Sequence, residues 1–175
     1  MEARFAVTCL FLDFPRLADD SDLSAIRRAA LQGDAGASFA LGVMYAGGHG
    51  VPQDYKEALK WYRRSAHQRH ADALYYLSKI YAKGQGVAQD YDQAITLCRQ
   101  AGEQGHTDAQ TNLGVMYAKG LGVLQNYVQA YKWFNLAVAK GSSNAKKMRN
   151  TAENKMTQDQ IDEAKELARV WETIF

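Results

Sequence analysis

The sequence predicts an all-α fold, a solenoid of stacked helix pairs, and three observations carry that prediction. One phrase recurs at a fixed step: MYAGGHGVPQDY at 44–55, IYAKGQGVAQDY at 80–91 and MYAKGLGVLQNY at 116–127, 36 residues apart each time. Each copy places glycines where one helix should stop and an Asp or Asn where the next should start. Only 2 of the 175 residues are proline, the residue a helix interior tolerates least, because it removes a backbone donor and clashes with the preceding turn. Self-similarity at this period marks architectures in which one unit cannot bury both of its faces, so neighbours must stack to close a core.

Residues 1–21 stand outside the repeat. MEARFAVTCLFLDFPRL holds one apolar run, Phe5 to Leu12. A signal peptide needs a basic start, a longer apolar stretch and a small-residue cleavage site. Here Glu2 offsets Arg4 and Asp13 cuts the run short. The segment reads either as a vestigial signal or as an apolar arm packed on the domain. A half unit then opens over 22–34, since AALQGDAGA at 29–37 matches the junction between later units. Three full units follow over 35–70, 71–106 and 107–142, and 143–175 forms a cap.

Within the first unit, Ala37, Ala40, Leu41, Met44 and Tyr45 share one face at helical spacing. Gly47, Gly48 and Gly50 end that helix, because glycine enters the left-handed region at little steric cost. Asp54 starts the second helix, and Glu57 three residues on completes a capping box. Asp90 with Gln93 and Asn126 with Gln129 repeat the device. Ala58, Leu59, Tyr62 and Ala66 make the apolar stripe of the second helix. Near the end, Thr157 to Gln160 is a further capping box. Behind it Ile161, Ala164, Leu167, Ala168 and Trp171 form a stripe opposite Asp162, Glu163, Lys165, Glu166 and Arg169.

The pattern L-G-x-M-Y-x-x-G-x-G-V-x-Q-D-Y-x-x-A-x-x-W-[YF], read at 41–62 and nearly so at 113–134, resembles the Sel1-like repeat, a relative of the tetratricopeptide repeat with a longer turn. The middle unit departs from it with Ser78, Leu97 and Cys98 at the glycine, tryptophan and aromatic positions. MTQDQIDEAKELARVW resembles the cap that often ends bacterial members. The resemblance covers about residues 22–175 and implies a right-handed α/α superhelix with a non-enzymatic role in protein interaction.

Other chemistries find little support. Net charge is +2, too small for a nucleic-acid footprint. Arg27-Arg28, Arg63-Arg64 and Lys146-Lys147 read as solvated helix faces. Cys9 and Cys98 suggest no disulfide framework, and no apolar run approaches the length of a transmembrane helix. A phosphate loop follows a strand and opens a helix; these G-x-G loops follow a helix and lack the companion G-K-[ST]. His67 and His70 form H-x-x-H, but a structural zinc site needs four ligands, so these histidines, with His106 at the repeat position of His70, read as turn residues. Ser143 to Lys146 spells S-x-x-K, the nucleophile motif of penicillin-recognising enzymes, without its companion motifs. Some cysteine-rich relatives have been associated with penicillin binding, yet their paired cysteines are missing here. No catalytic residue, metal or cofactor is therefore expected.

By the same resemblance, the first helix of each pair lines a concave groove. Carried over by position, the partner-binding residues are Phe39 and Val43, then Asp72, Tyr75, Lys79 and Lys83, then Asp108, Thr111, Val115 and Lys119. Phe39 and Tyr75 would be apolar anchors, and Lys79, Lys83 and Lys119 would meet a carboxylate. The expectation is a monomeric scaffold or adaptor that binds a protein or peptide in the groove. A hydrolase or penicillin-binding activity and a structural part in a larger assembly stay open as alternatives. Compartment is not legible: the cytoplasm is the default, the periplasm or secretion the alternative.

Overall fold

The computed structural model describes residues 20–174, so the expectations for the N-terminal segment and Cys9 fall outside the described residues. Among the described residues the regular elements are all helices: α1 (Asp20–Leu31), α2 (Ala35–Gly47), α3 (Tyr55–Ala66), α4 (Ala71–Lys83), α5 (Tyr91–Glu103), α6 (Thr107–Lys119), α7 (Tyr127–Ala139), α8 (Ser143–Glu153) and α9 (Gln158–Ile174). They divide into two compact units, one ending at His70 and the other starting at Ala71.

In the first unit α2 packs on both α1 and α3. Its core joins Ala30, Ala37, Leu41 and Met44, with Leu23, Ile26, Val51 and Trp61 against them. Asp34 caps α2 by accepting from the Ala37 N–H at 2.6 Å. The turn before α2 is tied to α3 by polar bonds that the sequence does not announce. Arg64 donates to the Leu31 carbonyl at 2.9 Å, buried Ser65 to the Ala35 carbonyl at 2.7 Å, and Gln68 to the Gly33 carbonyl at 2.9 Å. Carbonyls left over at a helix end need such partners. Arg27 likewise donates to the Tyr45 hydroxyl at 3.1 Å, so these basic residues bind across helices besides meeting water.

The G-x-G loops are backbone geometry. Both glycines of each pair are left-handed: φ is 71° and 70° at Gly48 and Gly50, 66° and 71° at Gly84 and Gly86, 69° at both Gly120 and Gly122. The Gly48 and Gly120 N–H groups close the preceding helix on the Met44 and Met116 carbonyls. The expected capping boxes are only half formed. Asp54 accepts from the Lys56 and Glu57 N–H groups, Asp90 from Gln93, and Asn126 from Gln129. The reciprocal side-chain bond is absent because the cap's own N–H is already engaged: Asp54, Asp90 and Asn126 donate to the Tyr45, Tyr81 and Tyr117 carbonyls, each at 2.9 Å. The long turn folds back on its own first helix and satisfies that donor by backbone alone. Only Thr157 and Gln160, at the start of α9, form the full reciprocal box.

A glutamine completes each turn. The Gln53, Gln89 and Gln125 side-chain amides donate to the Ala46, Ala82 and Ala118 carbonyls, each at 2.8 Å, and also reach the Tyr55, Tyr91 and Tyr127 hydroxyls. The recurring Q-[DN]-Y is thus a staple, a cap and a hydroxyl anchor in sequence order.

In the second unit α4 pairs with α5 and α6 with α7; α5 packs on α6, and α8 and α9 both pack on α7. Arg99 donates to the Tyr117 hydroxyl at 2.9 Å, repeating the Arg27–Tyr45 bond. The departures of the middle repeat compensate one another. A Cβ placed on Gly114 would lie 2.5 Å from the Phe134 ring, and one on Gly42 equally close to Tyr62. Glycine there makes room for a buried ring. At the same positions the middle repeat carries Ser78 and Cys98, a larger residue facing a smaller one, both buried. At the end of the chain, Ile161 and Ala164 of α9 pack with Val128 and Tyr131 of α7, and Trp171 meets Trp133 edge-on at 5.2 Å.

Candidate functional site

The tyrosines, glutamines, glycines and caps that recur at the repeat step are used by the frame, so a partner would read the side chains that the frame leaves at the surface. Within the second unit that material gathers on α4, α6 and α8. His106, the N-cap of α6, accepts from the Ala109 N–H through Nδ1 at 3.2 Å. Its Nε2 therefore carries the proton and faces the Asp72 carboxylate at 3.1 Å. The Tyr75 ring lies 4.6 Å from His106 and meets Tyr76 edge-on at 5.6 Å. Lys79 extends over both tyrosines, 5.3 Å and 4.9 Å from their ring centres. Burial, and then the negative charge of Asp108, push the Tyr75 phenol up to about 12. Burial lowers the Lys79 pKa, the neighbouring Lys83 lowers it further, and Asp108 opposes both. Tyr75, Lys79 and Asp108 are thus one electrostatic cluster with Lys83 on its edge, and Asp72 joins it through His106.

Two expected contacts are corrected. Phe39 is 2% exposed, its ring stacked on His70 at 5.1 Å and tilted against Tyr62 at 5.7 Å. It belongs to the core of the first unit and cannot be a surface anchor. Thr111 is 6% exposed, with its hydroxyl donating to the Thr107 carbonyl at 3.0 Å. Both are covered by packing, because a helix that packs on two neighbours leaves only a narrow outer stripe. Val43 is half-buried on α2, in the first unit.

Val115 and Lys119 come together elsewhere. They line a cavity of about 300 Å³ between α6 and α8, with Phe134 and Met148 in its wall and Thr151 and Lys155 on its α8 side. Val115 and Thr151, like Lys119 and Lys155, are one repeat step apart, so the cavity is made by equivalent positions of successive first helices. Lys155 is held 5.4 Å over the Tyr127 ring.

Sequence reasoning missed Tyr76, Lys155 and the capping role of His106. Lys155 was findable, since Lys83, Lys119 and Lys155 continue the 36-residue step into the cap. Tyr76 carries no such signal. The sequence also conceals Lys132, a buried lysine whose ammonium lies 4.8 Å from the Trp133 ring and 4.1 Å from Trp171. Burial lowers its pKa, with Glu103 acting against that.

The remaining motifs have structural places. His67 is the C-cap of α3, and no group of three or more metal-ligating side chains converges among the described residues. Ser142, not Ser143, caps α8, accepting from Ala145 at 3.2 Å. Ser143 and Lys146 are exposed on the first turn. No helix among the described residues is long and apolar enough to cross a membrane.

The comparisons agree with this architecture. The Sel1 repeat family model matches residues 35–70, 71–106 and 107–142. The crystal structure of a protective antigen from uropathogenic Escherichia coli, with an SLR fold, is 34% identical at a TM-score of 0.82, covering 88% of this chain. The chain spans 33% of that antigen's length. A Sel1 repeat protein from Oxalobacter formigenes is 35% identical at a TM-score of 0.69, covering 74% of this chain and 98% of its own. Helicobacter pylori cysteine rich protein B shares the fold at 20% identity and a TM-score of 0.56, covering 69% of this chain and 92% of its own. No curated protein matches the sequence. Sel1 repeats generally mediate protein–protein interaction and serve as non-catalytic scaffolds.

Proposed function

Since the chain belongs to the Sel1 repeat family, we propose that it is a non-enzymatic scaffold or adaptor that captures a segment of a protein partner along α4 and α6, the first helices of the repeats in its second unit. The observation that carries the reading is the division of labour between residues that the frame consumes and side chains that it leaves at the surface. The recurring tyrosines, glutamines, glycines and caps are consumed by turns and helix contacts. The side chains left at the surface of α4 and α6 are Asp72, Tyr75, Tyr76, Lys79, Lys83, Asp108 and Lys119, with Val115 opening to the cavity. The paired Tyr75 and Tyr76 rings, with the Lys79 ammonium over both, offer rigid apolar area of the residue type enriched at binding hot spots.

The test is capture from the lysate of the source cells by the wild type and by the Tyr75→Ala/Lys79→Ala double variant. Proteins retained by the wild type should be lost from the variant while its helical circular dichroism is unchanged. Capture that survives the double substitution removes this face from the account.

A further inference from the structure

We propose that the cavity between α6 and α8 takes an acidic segment of the partner: one bulky apolar side chain enters it, and neighbouring carboxylates meet the ammonium groups of Lys119 and Lys155. The inference rests on the scaffold reading above and names the partner chemistry at that face.

The cavity has an apolar wall, including Val115, Phe134 and Met148, and about 300 Å³ of space. That is the low end of ligand pockets and suits one large side chain. Its charged lining residues are Lys119 and Lys155 alone, with no carboxylate among them. Both lysines are exposed. Lys119 ends α6, where a cation is favourable against the helix dipole without any partner. Lys155 stands at the equivalent place just past the end of α8 and is in addition held beside the cavity by the Tyr127 ring. An anion seated at the cavity meets two ammonium groups and no carboxylate in its lining. The positive line extends along the same unit, because Lys83 stands one repeat step before Lys119. Apolar wall and cationic rim together select against neutral or basic segments, which leave the lysines unpaired.

The probe is a random peptide library displayed on phage, panned on the whole chain. Enriched peptides should be acidic and share one Leu, Phe or Trp. Synthetic copies should bind the Lys119→Glu/Lys155→Glu variant at least about tenfold more weakly, and binding to the wild type should fall as salt rises. Circular dichroism checks that the variant is folded. Enriched peptides without acidic bias, or equal binding to the variant, overturn the inference. Peptides lost only with Tyr75→Ala/Lys79→Ala leave the scaffold reading standing and this inference fallen. A library that yields no binder removes both.

Discussion

Replacing Gly114 by serine recreates, in the third repeat, half of what the middle repeat carries. The new Cβ would stand 2.5 Å, 2.6 Å and 2.9 Å from three atoms of the Phe134 ring. Ordinary carbon contact begins near 3.5 Å, so ring and helix must part by about 1 Å. Phe134 is 2% exposed and has no free space to retreat into. Overpacking of this kind costs about 1–3 kcal/mol, and the better helix propensity of serine returns about 0.5 kcal/mol. Gly114→Ser should therefore destabilise by about 1–2 kcal/mol. Phe134→Cys alone should cost about 2–4 kcal/mol through the lost ring and the cavity it leaves. The double variant restores the Ser78–Cys98 pairing and should cost less than the sum by at least about 1 kcal/mol. Urea unfolding followed by circular dichroism measures all four corners of the cycle. Additivity within about 0.5 kcal/mol would refute the idea that the middle repeat's departures are compensating.

Two further outcomes follow from the turns and from the buried thiol. Gln89→Ala removes the staple to the Ala82 carbonyl and Asp90→Ala the cap bond to Gln93; each should lower stability by about 1 kcal/mol in thermal unfolding, and an unchanged melting temperature in both would sink the turn assignment. Cys98 donates to the Ala109 carbonyl at 3.2 Å, and burial pushes its thiol from 9.0 to about 12, with a Ser78 hydrogen bond acting the other way. In a Cys9→Ser background, a thiol reagent at mildly alkaline pH should modify it slowly when native and at once when unfolded. Because the unfolded chain ionises first, the stability this thiol contributes is complete below about pH 9 and falls as pH climbs toward 12. Cys98→Ala should flatten that alkaline loss, and an unaltered pH profile would count against it.

The sequence by itself determined the period, the helix content and the sites of the turns. Those depend on local chemistry that repeats: left-handed glycines, side chains that cap the next turn, and apolar residues at helical spacing. Three copies at one step make such signals self-checking. The family resemblance rests on the same residues. What only the tertiary structure decided lies where one residue answers to another distant in sequence. Asp54, Asp90 and Asn126 keep half a capping box because their N–H groups reach back to a tyrosine carbonyl in the preceding helix. Gly114 and Phe134 are adjacent only once two helices pack, so Ser78 and Cys98 look like unrelated departures in the sequence. The candidate site shows the same divide. Register placed Tyr75, Lys79, Val115 and Lys119 on first helices, where the structure has them at the surface or opening to a cavity, but it also placed Phe39 and Thr111 there, and both are buried. A repeat step gives the angle of a residue around its helix; how far neighbouring helices close over that angle is decided by packing, and packing separates a surface anchor from a core ring.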